Sequence, residues 1–82
     1  MIQVLYFASL RERLGCQAEA LSEVPRSVSA LRRQLSARGG VWADVFAEDQ
    51  RVLAAVNQAM APAEQALKDG DEVGFFPPVT GG

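Results

Sequence analysis

Residues Ile2 to Phe7 constrain the fold more than any other stretch of the chain. Read as a strand, they put Ile2, Val4 and Tyr6 on one side and Leu5 and Phe7, with Gln3, on the other. Both sides are largely apolar. A strand covered on one face only would show polar residues to water on the other, so this one is either central between two layers or faces a partner. With 82 residues the chain is too short to cover both faces of a sheet with helices, and a domain this small buries only about 60 to 65% of its unfolded surface. The partner is the favoured explanation.

The remaining pattern supplies the other layer. Leu10 to Leu14 suits a short helical turn, capped by Ser9 and stopped by Gly15. Ala18 to Leu21 is a second strand paired with the first. Ser27 then caps a helix whose Val28, Leu31 and Leu35 form one apolar stripe, and Gly39-Gly40 ends it. Arg32, Arg33 and Arg38 fall in its later turns, where cations complement the helix dipole and need no ligand. Trp42, Val45 and Phe46 repeat the helical spacing in a shorter helix that packs as core. Val52 to Val56 reads as a buried strand, Asn57-Gln58 as a turn in which Asn57 accepts a positive φ, and Ala59-Met60 as a short return arm before Pro62. Lys68-Asp69-Gly70-Asp71 is a turn, and Glu72 to Phe76 is the last strand, with Val73 and Phe75 on one face and Gly74 and Phe76 on the other. Phe76 therefore opposes the core.

The chain carries little chemistry of its own. It has no histidine and one cysteine, Cys16, so an internal disulfide, a multi-thiolate zinc site and the usual neutral-pH general base are all excluded. No apolar span approaches the length of a membrane helix and no basic segment precedes the first strand, which gives the expectation of a cytoplasmic protein without a membrane partner. A net charge of -2 argues against nucleic acid. Charge is unevenly placed along the chain. From Arg11 to Arg38 six arginines stand against three glutamates, whereas from Val52 onward Lys68 stands alone against Glu64, Asp69, Asp71 and Glu72. On sequence position alone the C-terminal segment leaves an acidic end, for which a receiving groove would be basic, or these are ordinary solvated charges.

The sequence closes on Phe76-Pro77-Pro78-Val79-Thr80-Gly81-Gly82. Two prolines favour an extended exit and limit the entropy lost on insertion into a channel. Two glycines without Cβ pass a narrow passage. The one functional group at the tip is the Gly82 carboxylate. A frayed terminus accounts for a glycine pair but not for the stiff apolar lead-in.

Several blocks together resemble the MoaD-type sulfur-carrier subunit of molybdopterin synthase, a ubiquitin-like β-grasp family. They are Val4-Leu5-Tyr6-Phe7-Ala8 with Leu10-Arg11-Glu12, then Leu53-Ala54-Ala55-Val56-Asn57-Gln58, then Leu67-Lys68-Asp69-Gly70-Asp71-Glu72-Val73 running into the tail. The middle, from Gln17 to Gln50, matches only in pattern. The resemblance implies an α+β fold: a mixed sheet with its first and last strands parallel and adjacent, and one main helix plus a short second helix on one face. It implies a domain over 1–76 and an extended tail over 77–82. It further implies that the Gly82 carboxylate is adenylated by a ubiquitin-activating-like adenylyltransferase using ATP, converted to a thiocarboxylate with sulfur from a donor protein, and spent on cyclic pyranopterin monophosphate. The partner would be the large synthase subunit, in a heterotetramer, with the catalytic side chains on that subunit and no cofactor or metal bound by this chain.

The resemblance puts Phe7, Met60 and Phe76 on a partner-facing surface and Arg11 against a partner. The alternation of Phe7 and Phe76 points the same way, while ordinary packing for the aromatics and Met60, and solvation for Arg11, stand as the plain alternatives. Pro77, Pro78, Val79, Thr80 and Gly81 form the inserted arm. Cys16 matches no family role. Three other readings remain: a carrier for thiazole synthesis, against which the 39–50 insertion and the Phe-Phe-Pro-Pro lead-in count; a ubiquitin-like modifier conjugated to lysines; and a non-covalent β-grasp binding module with a dispensable tail.

Overall fold

The computed structural model describes residues 1–78. Five strands form one sheet in the order β2-β1-β5-β3-β4, from β1 (Ile2–Tyr6), β2 (Ala18–Leu21), β3 (Leu53–Val56), β4 (Ala59–Ala61) and β5 (Glu72–Phe76). β1 and β5 are parallel and central, with Val4 opposite Val73 and Tyr6 opposite Phe75. The β1–β2, β3–β5 and β3–β4 pairs are antiparallel. Helices α1 (Ala8–Leu14), α2 (Val28–Ser36) and α3 (Gly40–Val45) complete the fold. The mixed sheet, the parallel central pair and the main helix with a shorter companion agree with the sequence expectation, and the short helical turn expected over Leu10 to Leu14 is the longer helix α1.

One face of the sheet builds the core. Ile2, Val4, Tyr6, Val73, Phe75, Ala54 and Val56 meet Leu10 of α1, Val28, Leu31 and Leu35 of α2, and Val45 and Phe46 at the end of α3. Leu31 and Leu35 are fully enclosed, and burial of a leucine contributes about 1.5 to 3 kcal/mol. The i, i+3, i+7 spacing of Val28, Leu31 and Leu35 is what turns all three toward the strands. Tyr6, Phe46 and Phe75 contact one another at ring centroid separations of 5.1 to 6.4 Å.

Local details depart from the sequence reading in three places. Ser9 lies inside α1 and does not cap it: Phe7 occupies the cap position with no side-chain bond, and Leu10 N–H donates to the Phe7 carbonyl at 3.1 Å. Helix α2 ends at Ser36, before the glycine pair, because tightened bonds from Arg38 N–H to Leu35 and from Gly39 N–H to Ser36 close its last turn. Gly39 and Gly40, at φ 80° and 56°, open α3 instead. In the β3–β4 hairpin both Asn57 and Gln58 take positive φ, 52° and 70°, the backbone of a two-residue type I′ turn. Asn57 suits that conformation and Gln58 does not.

Two polar networks hold the edges. The Tyr6 hydroxyl donates to Glu19 Oε2 at 2.8 Å, and Arg38 grips the same carboxylate through both terminal nitrogens at 2.9 and 2.7 Å. The Arg38 guanidinium also sits 4.4 Å over the ring of Trp42. Edge strand β2 is thereby tied to β1 and to the α2–α3 turn, so Arg38 acts through a specific pair and a ring, beyond any helix-dipole effect. On the far side, Asn57 Nδ2 donates to Asp71 Oδ1 at 2.9 Å, and Asn57 Oδ1 accepts from Glu72 N–H at 3.0 Å. Lys68 N–H donates to Asp71 Oδ2 at 2.9 Å. The hairpin turn is thus stitched to the start of β5.

Candidate functional site

The second face of the sheet carries no helix. Residues directly opposite in neighbouring strands share a face, so the printed registers place Ala18, Ala20, Gln3, Leu5, Glu72, Gly74, Phe76, Leu53, Ala55 and Met60 together on it. Phe7 extends the row of Leu5, and its N–H donates to the Phe75 carbonyl at 3.1 Å, continuing the β1–β5 ladder. Small residues fill the middle and large apolar ones stand around them. Phe7 is 46% exposed and Met60 64% exposed, while Leu5, Leu53 and Phe76 are half-buried. The apolar second set of β1 is therefore an open surface in the isolated chain.

The predicted partner-facing residues are not equally placed on it. Phe7, Phe76 and Met60 all belong to the helix-free face, Phe7 and Phe76 near the end where β5 leaves the sheet and Met60 on edge strand β4. Arg11 lies on α1, which packs beside the end of β5, and its side chain is exposed. Arg11 and Arg13 sit in the last turn of α1. Pro77 and Pro78 follow β5 directly, half-buried and outside regular structure. Val79, Thr80, Gly81 and Gly82 lie outside the described residues.

Sequence reasoning set Gly74 on the face of Phe76, as the registers have it, but missed Leu53 and Ala55 as parts of this surface. The run from Val52 to Val56 is apolar throughout, so it holds no alternation to read; only the burial of Ala54 and Val56 assigns Leu53 and Ala55 to the other side. Gly74 is buried although it faces outward, because the Phe7 ring covers it.

Elsewhere Tyr6, Glu19, Arg38 and Asp71 are engaged in holding the fold. Burial, reinforced by the hydrogen bond to Glu19, pushes the Tyr6 phenol well above its usual range. The Arg38 hydrogen bonds hold the Glu19 carboxyl below its ordinary value against the opposing effect of burial. The Asn57 side chain, followed by the Lys68 amide, does the same for Asp71. Cys16 is half-buried, with Sγ 3.6 Å from the Ala18 carbonyl. A cavity of about 350 Å³ is an open trough on the helical side lined by Ser29, Arg32, Arg33, Ser36 and Glu48 among others. Among the described residues no cluster of three metal-ligating side chains occurs, and no helix is long and apolar enough to cross a membrane.

A small α+β domain with its first and last strands parallel and adjacent, one bare apolar sheet face and a Pro-Pro pair leaving the last strand beside it defines the ubiquitin-like β-grasp class. Comparison with known proteins agrees. Residues 4–82 match the model of the ThiS family. The molybdopterin synthase sulfur carrier subunit of Escherichia coli is 48% identical over 82 residues, covering all of both chains. That of Haemophilus influenzae is 44% identical, again covering all of both chains. Among solved structures, a Pyrococcus furiosus protein described as a putative molybdopterin converting factor, subunit 1, superposes with a TM-score of 0.75 at 28% identity, over 95% of this chain and 97% of that one. A chain from the complex of subunits 1 and 2 of the molybdopterin-converting factor of Helicobacter pylori shares the fold, with a TM-score of 0.67 at 22% identity over 99% and 97% of the two chains. The chain belongs to the ThiS family, in its MoaD-type group of molybdopterin synthase sulfur carriers.

Proposed function

We propose that this chain is the sulfur-carrier small subunit of a molybdopterin synthase and that its working group is the Gly82 carboxylate. A free carboxylate is a poor acyl donor because its leaving group would be oxide. Attack of the carboxylate on the α-phosphorus of ATP, in a ubiquitin-activating-like adenylyltransferase, gives the acyl adenylate and releases pyrophosphate. A sulfur nucleophile delivered by a donor protein then displaces AMP, and the chain is left with a C-terminal thiocarboxylate. Its sulfur passes to cyclic pyranopterin monophosphate in the large subunit, and two charged chains serve each dithiolene. General acids and bases for that step belong to the large subunit, since this chain has no histidine and its strongest carboxylate networks are tied up in holding the fold.

The observation that carries the reading is the bare sheet face. Phe7 and Phe76 stand on it beside the root of the Pro77-Pro78 arm, and Met60 stands farther out, so a large subunit seated there would fix where the arm enters its active site. The named complex of subunits 1 and 2 in Helicobacter pylori gives precedent for such a partner, and a heterotetramer with a small subunit at each end of a large-subunit dimer is the proposed assembly. The test is reconstitution. Thiocarboxylated chain, the large subunit and cyclic pyranopterin monophosphate should yield molybdopterin, while chain lacking Gly82 should yield none and still fold. Product formed equally without Gly82 would refute the proposal.

A further inference from the structure

The fold separates charges that lie close in sequence. Asp69, Asp71 and Glu72 cluster at the start of β5, next to the start of β1, where Gly70 N–H donates to the Met1 carbonyl at 2.8 Å and Gln3 N–H to the Asp71 carbonyl at 3.0 Å. The tail leaves from the other end of β5, roughly 17 Å away at about 3.3 Å per residue. The acidic end suggested by sequence position is therefore not where the arm departs.

What flanks the arm is set by the β3–β5 register. Leu53 is opposite Phe76 and Ala54 opposite Phe75; continuing that antiparallel register two residues past the end of β3 brings Arg51 toward Pro78. Val52 packs toward the core and Leu53 belongs to the open face; the same alternation, continued one residue further back, assigns Arg51 to the open side. Arg51 is exposed, and among the described residues it makes no ion pair. Its neighbour Glu48 lines the trough on the helical side. The loop that leads to Arg51 is held in place: Arg32 Nη2 donates to the carbonyls of Ala47 and Gln50 at 3.2 and 3.1 Å. On the open face Glu72 marks the end remote from the tail, and Arg51 marks the end next to it.

Resting on the sulfur-carrier reading, we infer that Arg51 is a docking cation at the root of the arm and that it pairs with a carboxylate on the rim of the large-subunit channel that receives the tail. The apolar centre of the face supplies contact area, and an Arg at one end with a Glu at the other fixes its orientation on the partner. Rim charges act chiefly on association rate, and salt screens them.

The test measures association of the full chain with the large subunit across a salt series. Arg51→Glu should slow association about tenfold at low salt, with the deficit closing as salt rises. Arg51→Lys should stay near wild type, and so should Arg33→Glu, whose side chain lines the trough on the opposite side. Melting temperatures of all variants should match, which separates docking from folding. Association of Arg51→Glu equal to wild type at low salt, or a deficit unaffected by salt, would overturn the inference while leaving the carrier function intact. Failure of the wild-type chain to bind the large subunit at all would remove both.

Discussion

The ring of Phe7 lies directly on Gly74. A Cβ built at residue 74 would stand 2.8 Å from Cε2 of Phe7, so the absence of a side chain on β5 is what lets the aromatic lie down along the open face. The ring is nevertheless 46% exposed, and its Cε2 edge is the far end of the side chain. Gly74→Ala should therefore leave stability within about 1 kcal/mol of wild type, replacing a flexible strand glycine at the cost of moving an exposed ring. Ring-current shifts of residue 74 and its neighbours in NMR spectra should change, while the melting temperature does not fall. A large drop in stability would mean that the Phe7 ring is fixed there.

Phe7→Ala separates surface from core. Removing a half-exposed ring should cost little folding stability, because no core cavity opens, yet weaken binding to the large subunit by tenfold or more, as anchoring aromatics at interface centres do (about 1.4 kcal/mol or more). Isothermal titration beside a thermal melt reads both. Equal affinity with a lowered melting point would return Phe7 to the core.

The Tyr6–Glu19–Arg38 network predicts a pH dependence. Glu19 is held below its ordinary pKa by Arg38, so in the folded state it keeps its charge to lower pH than in the unfolded chain. Its contribution to stability is fully present above the unfolded-state pKa, near 4.5, and is lost as pH falls through the lower folded value. Denaturant unfolding of Glu19→Gln should show a shallower loss of stability below pH 4.5 than wild type does. Tyr6→Phe should cost roughly 1 to 2 kcal/mol at neutral pH, since it removes a hydrogen bond to a charged group.

The hairpin turn offers an opportunity for stabilisation. Gln58 holds a φ of 70°, which glycine adopts without strain, so Gln58→Gly should stabilise the chain by about 0.5 to 1 kcal/mol. Asn57→Ala should do the reverse. It removes both the bond to Asp71 and the acceptor for Glu72 N–H, for a loss of roughly 2 kcal/mol. Urea midpoints of the two variants should bracket wild type.

Much of this arrangement was readable before the structure. The two apolar sides of Ile2 to Phe7, the stripe of Val28, Leu31 and Leu35, and the opposition of Phe75 to Phe76 all follow from periodicity, and each holds. Periodicity cannot see across strands. That Leu53, which Arg51 precedes by two residues, pairs with Phe76 at the root of the tail, and that Asp71 and Glu72 stand at the opposite end of β5, depends on the β3–β5 and β1–β5 registers, which arise from tertiary packing. The glycine pair at 39–40 was a stop signal in sequence but serves as the start of α3, because the tightened bonds after Ser36 had already closed α2. Leu53 was hidden inside an all-apolar run. Arg38 read as a helix-end cation because its partners Glu19 and Trp42 lie on other elements.

The sulfur proposed on Gly82 is read out by intact mass. After incubation with ATP, the activating enzyme and a sulfur donor, the wild-type protein should gain the mass difference between sulfur and oxygen, and fragmentation should place that gain on the terminal residue. An unchanged mass under conditions that consume ATP, or a gain located at Cys16, would contradict it.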